Sequence, residues 1–140
     1  MDFEYTFSPS LKQSVGKLLI KRIFDICFSL IALIFFSPVF LLIALVIKIS
    51  DGSPVFFLQK RVGLNGSTFK CLKFRTMIVD ADKQWEKIKY LNEVSGPVFK
   101  IKNDPRITNV GKFLRKSGLD EFPQFFNVLI GDMSVVGPRP

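Results

Sequence analysis

Two carboxylates stand side by side in GLDEFPQF (Gly118 to Phe125): Asp120 and Glu121, just ahead of Phe122-Pro123. Adjacent acids can attack phosphorus, hold a divalent cation, or do no more than start a helix. The chain has no histidine, which removes Ser-His-Asp and Cys-His catalysis and His-ligated zinc and leaves carboxylates, Lys and Arg as the chemical groups. Lys and Arg number 20 against 12 Asp and Glu, and the formal net charge of +8 suits a surface that faces phosphates. Charge alone does not choose among anionic lipid, nucleotide and nucleic acid. Most of the 16 phenylalanines lie in apolar runs rather than on a basic strand face, so no nucleic-acid partner is expected.

The acidic pair needs an element to hold it. A helix is predicted from about Leu119, capped by Ser117 or Gly118, with Phe122, Phe125, Phe126 and Leu129 as its buried face. Pro123 is tolerated there because the first turn has N–H groups without helical partners. Carboxylates at this positive end gain about 0.3–1 kcal/mol. The same free N–H groups could hold a phosphate beside a carboxylate nucleophile or metal ligand, so helix start and active site share one conformation. Upstream, TNVGKFLRKS predicts a helix from Thr108 that ends at Gly118. Downstream, Gly131-Asp132 closes the acidic helix and Met133 to Val136 leads into Gly137-Pro138-Arg139-Pro140. Prolines on both sides of Arg139 stiffen its backbone, which suits either a guanidinium aimed at a phosphate or a plain chain end.

Ile26 to Ile47, ICFSLIALIFFSPVFLLIALVI, carries no charge. Its ~22 residues would extend roughly 33 Å as a helix, matching a hydrocarbon layer of about 30 Å. It starts too far in for a cleaved signal peptide, follows Asp2 and Glu4, and precedes no small-residue cleavage site. Pro38 near its centre leaves the carbonyl of Ile34 without a helical donor, and Ser37 can bond back to the preceding turn. Lys12, Lys17, Lys21 and Arg22 precede the run while Lys48, Lys60 and Arg61 follow it, so the positive-inside rule sends neither end outside. A helix that enters, bends at Ser37-Pro38 and returns satisfies both facts; a kinked single span is the alternative. Lys21 and Arg22 stand four and three residues before Asp25, spacings for ion pairs along one helix face and an interface anchor.

After the turn cluster Asp51-Gly52-Ser53-Pro54, VFFLQKRVG and TFKCLKFRTM flank Asn65-Gly66 and predict a β-hairpin. Gly63 and Gly66 fit plain turn chemistry or a phosphate approach. Lys70, Lys73 and Arg75 alternate unevenly with Phe69, Leu72 and Phe74, as on a solvated, lipid-facing or ligand-binding strand. Met77, Trp85, Ile88 and Leu91 predict a helix over about 77–92; Val98 to Lys102 reads as extended, and Asn103-Asp104-Pro105 turns the chain into Arg106. Cys27 and Cys71 form no CxxC and read as packing residues. The whole predicts an α+β chain: an extension over 1–16, a membrane helix over 17–50 broken at Ser37-Pro38, either re-entrant or a kinked span, and a small, mostly helical domain with a short β-hairpin over 51–140.

KRIFD (Lys21 to Asp25), the Ser37-Pro38 break, FLQKRVGLNGSTFKCLKFRTM, NDPRIT (Asn103 to Thr108), GKFLRKSGLDEFPQFFNVLIGDMS and VGPRP, in this order from about Lys17 to Pro140, resemble the bacterial sugar transferases, the monotopic polyprenyl-phosphate phosphoglycosyl transferases. The resemblance implies an enzyme of the bacterial inner membrane whose segment over 17–50 is a re-entrant helix-break-helix hairpin bent at Ser37-Pro38, with the catalytic domain over 51–140 on the cytoplasmic face. It would move a phospho-sugar from a UDP-sugar to polyprenyl (undecaprenyl) phosphate and release UMP, the first membrane step of an exopolysaccharide, capsule, O-antigen or glycoprotein glycan. It implies Asp120 as nucleophile, Glu121 as its partner in holding Mg2+, and phosphate contacts for Arg75, Arg106 and Arg139. The implied partners are the UDP-sugar, polyprenyl phosphate and membrane lipid; a homo-oligomer is left open. The family continues several tens of residues past the PRP motif, so part of the nucleotide or sugar pocket is expected to lie outside this sequence. The larger members' multi-span region is not expected before Lys17. An inactive paralogue that serves as an assembly partner is the alternative function.

Overall fold

The computed structural model describes residues 15–63, 66–84, 88, 101 and 104–137. Helix α1 (Val15–Phe35) meets α2 (Ser37–Ser50) at a 59° bend. The carbonyl that Pro38 cannot serve is served by its neighbour: Ser37 Oγ donates to Ile34 O at 2.8 Å. Among the described residues no single helix is long and apolar enough to cross a membrane; by length and composition the bent pair is.

α1 is inside out. Its buried residues are Asp25, Ser29 and Ala32, while Ile23, Ile31, Ile34 and Phe35 are exposed. A water-soluble helix turns its apolar stripe inward and its polar face outward. Small and polar residues toward protein with apolar residues outward is the arrangement that suits lipid. α2 differs, since one stripe packs on the rest of the chain: Ile43 and Ile47 join Phe74 and Leu114 in the core, with Phe40, Ala44, Val55, Val110 and Leu119 against them.

Strands β1 (Phe56–Val62) and β2 (Thr68–Phe74) form the antiparallel hairpin, in a register that sets Phe56 opposite Phe74 and Val62 opposite Thr68. Gly63 N–H donates to Ser67 O at 2.7 Å, so this glycine closes the turn. The predicted helix over 77–92 does not begin at Met77. Met77 instead bridges Ile107, Asp80 takes a positive φ of 61°, and a 3₁₀ turn covers Ala81–Gln84. Ile88 is helical and buried; Trp85, Leu91 and the extended stretch expected over Val98 to Lys102 lie outside the described residues, apart from position 101.

Helix α3 (Asn109–Ser117) has the predicted bounds. Thr108 caps it, accepting from Gly111 N–H at 2.9 Å, and Gly118 ends it at φ 72°. The acidic helix differs from expectation. It divides into a 3₁₀ turn, Leu119–Glu121, and helix α4 (Gln124–Ile130), with Pro123 between them. Ser117 does not cap it, because its hydroxyl donates back to Phe113 O and Leu114 O. Phe126 is exposed, and Asn127 and Val128 are the buried residues of α4.

Asn127 explains the change of face. Its Oδ1 accepts from Leu72 N–H at 2.9 Å and its Nδ2 donates to Lys70 O at 2.8 Å. Alternate residues of a strand point backbone groups to the same edge, so one amide fills the open edge of β2. α4 also docks on α1, where Arg22 donates to Val128 O and Leu129 O, each at 2.8 Å. Those carbonyls are the negative end of α4, where a cation is favoured. Asp25 accepts from Val135 N–H at 3.0 Å, and Lys21 Nζ stands 3.8 Å from the point where a Cβ on Gly137 would be. The expected pairing of Lys21 and Arg22 with Asp25 along the helix is therefore replaced, and among the described residues no ion pair joins them: all three reach across to α4 and the segment after it.

Candidate active site

Asp120 and Glu121 sit in the 3₁₀ turn rather than in a helical first turn. Gly118, in the left-handed region, lets α3 reverse directly into that turn, and Glu121 N–H donates to Gly118 O at 3.3 Å. β2 lies alongside. Lys73 Nζ meets Glu121 Oε1 at 3.0 Å, partly buried on both sides. Arg115, five residues before Asp120 across the Gly118 reversal, donates from Nε to Thr76 Oγ1 at 2.8 Å.

These neighbours oppose one another at Asp120. Burial pushes its carboxyl above the ordinary carboxylate range, and the charge of Glu121 adds to that; Lys73 and Arg115 pull it back. The arrangement is a half-buried carboxylate with a like charge beside it and two cations within electrostatic reach. That environment suits a nucleophile and an anionic ligand together. Among the described residues there is no group of three or more His, Cys, Asp or Glu that could hold a metal ion, so the adjacent pair is the local carboxylate set.

The predicted arginines are dispersed. Arg75 is buried at the exit of α2, with Nη2 donating to Asp51 O at 2.7 Å and Gly52 O at 2.8 Å, while Nε and Nη1 are buried without a hydrogen-bond partner among the described residues. Arg106 is clamped by Asp104, with Nε 3.0 Å from Oδ1 and Nη2 2.7 Å from Oδ2. That hydrogen bonding holds the Asp104 carboxyl below its usual range. Arg139 lies outside the described residues. Arg115 joins the site without being predicted for it, and Lys73, read only as one of three basic residues on a solvated, lipid-facing or ligand-binding strand, joins it through Glu121. The alternation in KCLKF, which sends Lys73 to one strand face, and the five-residue spacing of Arg115 from Asp120 across a glycine reversal are the signals that the sequence holds for them.

The bend of the apolar pair reaches this site. Phe36, at the break, meets Phe122 edge-on at a centroid distance of 5.0 Å; Phe40 lies 6.3 Å from Phe122, and Phe28 lies 5.9 Å from Phe125. Phe122 directly follows Glu121. An acidic pair flanked by cations is thus seated on the apex of a bent apolar helix pair.

The bacterial sugar transferase family model matches residues 16–140, and the chain belongs to that family. It is 50% identical over 124 residues to the exopolysaccharide production protein ExoY of Rhizobium meliloti, covering 86% of this chain and 55% of that protein. It is 46% identical over 123 residues to the galactosyl transferase CpsE of Streptococcus agalactiae, covering 88% of this chain and 27% of the relative. It is 47% identical over 126 residues to the undecaprenyl-phosphate galactose phosphotransferase of Salmonella typhimurium, covering 86% and 26%. The chain thus spans about half of the ExoY length and about a quarter of the other two.

Proposed function

We propose that this chain carries the phospho-sugar transfer centre of a polyprenyl-phosphate sugar-1-phosphate transferase acting in exopolysaccharide or capsule synthesis. The observation that carries the reading is the half-buried Asp120 between Glu121, Lys73 and Arg115, seated on the apex of the bent helix pair. An Asp120 oxygen attacks the sugar-linked phosphorus of a UDP-sugar. The bond from that phosphorus to the bridging oxygen breaks, and UMP leaves with the electron pair. An oxygen of polyprenyl phosphate then attacks the same phosphorus, the acyl-phosphate P–O bond breaks, and Asp120 returns to its carboxylate as the polyprenyl diphospho-sugar departs.

Lys73 and Arg115 offset the charge of the diphosphate and favour the ionised form of Asp120 against burial and Glu121. Arg75, two of whose nitrogens lack partners among the described residues, Arg106 and Arg139 are the further phosphate contacts of this reading. The two consecutive carboxylates fit Mg2+, which keeps most of its shell for water and phosphate oxygens, and whose charge would relieve the repulsion between Asp120 and Glu121; when bound it supplies Lewis-acid neutralisation of the phosphates. The exposed apolar surface of α1 supports a membrane setting, and basic flanks on both sides of the bend support a re-entrant path with the domain on the cytoplasmic face.

Chain given a UDP-sugar and Mg2+ without lipid acceptor should release UMP in one burst and gain one phospho-sugar mass on the peptide containing Asp120. Asp120→Asn should abolish both. An adduct formed by Asp120→Asn at the unmodified rate would remove Asp120 from the mechanism.

A further inference from the structure

A strand on a water-soluble surface shows at most one apolar face. β1 shows two. Phe57 and Leu58 project to opposite faces, and they are 48% and 54% exposed. Rings link the start of this strand to the bent helix pair: Phe56 stacks on Phe74 at 5.3 Å, and Phe74 lies 5.9 Å from Phe40, in the first turn of α2. The base of the hairpin therefore stands level with the turn just past the bend.

Two residues beyond Leu58, about 7 Å along the strand, Lys60 stands directly opposite Lys70. Both are exposed, and neither makes an ion pair among the described residues. Like charges directly opposite each other destabilise a sheet, and a phosphate between them reverses the sign. An apolar end followed by a basic pair matches the order of layers at a bilayer surface, acyl boundary and then headgroup phosphate. Among the described residues no strand pairs with the outer edge of β1, whose N–H and C=O groups then need water, which limits the hairpin to the headgroup layer.

We infer that the β1–β2 hairpin is a second lipid contact, separate from the α1–α2 pair, in which Phe57 and Leu58 reach the acyl boundary and Lys60 and Lys70 hold anionic headgroup phosphate. The inference rests on the membrane setting proposed above and adds a site selective for lipid charge. At about 1 kcal/mol per lysine near an anionic surface, the pair shifts docking of the hairpin about 30-fold between neutral and strongly anionic membranes.

The test uses the full chain with Cys27→Ser and Cys71→Ala and one fluorescent label, either at Leu58→Cys or at Ile31→Cys on the exposed side of α1. Vesicles are phosphatidylcholine alone or with a third phosphatidylglycerol, each with and without a lipid-borne quencher. Quenching at both positions is expected, with the Leu58 signal strong only in anionic vesicles and falling to the neutral level in Lys60→Gln/Lys70→Gln. Quenching at position 31 with position 58 open to a water-soluble quencher overturns the hairpin contact and leaves the membrane setting intact. Position 58 shielded from both quenchers, with a dimeric mass in detergent, assigns the strand to a second copy and also overturns it. Quenching at neither position removes the membrane setting, and the hairpin contact with it.

Discussion

The ring of Phe36 meets the ring of Phe122 edge-on at 5.0 Å, so the break between the two apolar helices rests on the residue next to Glu121. Changing the angle of the bend must move the turn that holds both carboxylates. Edge-to-face pairs contribute about 0.5–1.5 kcal/mol beyond area burial, so a double-mutant cycle of Phe36→Leu and Phe122→Leu should give a coupling of that size. Each single change should slow transfer to the lipid acceptor more than it slows the lipid-free UMP burst. Equal losses in both assays would show that the contact serves stability alone.

If Asp120 attacks in its ionised form, as proposed, the acid limb of the pH–rate profile should lie above the ordinary Asp range, because burial and Glu121 raise its pKa. Glu121→Gln removes a raising charge and should move the limb to lower pH. Lys73→Met removes a lowering charge and should move it to higher pH. A group whose folded-state pKa is raised costs stability when ionised and regains it as pH falls through that pKa. Asp120→Asn should accordingly leave thermal stability at pH 7 unchanged or raised while abolishing the adduct. Profiles of rate and melting temperature over about pH 4–9 would check both signs.

Asp104 shows the opposite linkage. Its hydrogen bonds from Arg106 lower its pKa, so its contribution is present above the ordinary unfolded value and is lost as pH falls through the lower folded value. Asp104→Asn removes the carboxylate that clamps the buried Arg106 and should cost up to about 3–5 kcal/mol at pH 7. The penalty should shrink in acid, as the pH falls from the unfolded towards the lower folded value and the unfolded carboxyl takes up its proton first. Denaturant titrations of both forms at pH 7 and pH 3 would measure it.

Single cysteines at Gly16 and Ser53, without Cys27 and Cys71, should label from the same side of the membrane. Ser37→Ala removes the hydroxyl that serves Ile34 O, and Pro38→Leu restores the missing N–H; Pro38→Leu should straighten the pair and separate the two labels across the bilayer. Opposite sidedness in the unmodified chain would rule out the re-entrant path.

Gly111 permits a backbone contact that no other residue allows: a Cβ there would lie 2.0 Å from Thr76 O, which accepts from Thr108 N–H at 3.1 Å. Gly111→Ala must push α3 away from the strand end that carries Lys73 and Arg75. A loss of about 3 kcal/mol or more is expected in denaturant titration, toward the top of the range for overpacking.

Features written in neighbouring residues are legible in the sequence alone: the bend at Ser37-Pro38, the hairpin around Asn65-Gly66, and α3 between Thr108 and Gly118. Features that depend on a distant partner are not. The phenylalanine pattern after Leu119 points to a continuous helix with Phe126 inside, whereas Asn127 is the residue turned inward, because its partners are 55 and 57 positions away on β2. Arg22 and Asp25 look like partners for each other by spacing, yet both reach backbone groups more than a hundred residues on. The acidic pair is visible as a candidate, but the lysine and arginine around it arrive from a strand and from the preceding helix.

The amide of Asn127 also bears on how the chain folds. A two-stranded ribbon is marginal in water by itself, and here its inner edge is completed by a helix that begins only 50 residues beyond the ribbon's last residue, Phe74. The hairpin and α4 therefore gain their stability in one event, after a long loop has closed. The turn bearing Asp120 and Glu121 lies inside that loop, so it takes its final shape together with the assembly of the two rather than before it.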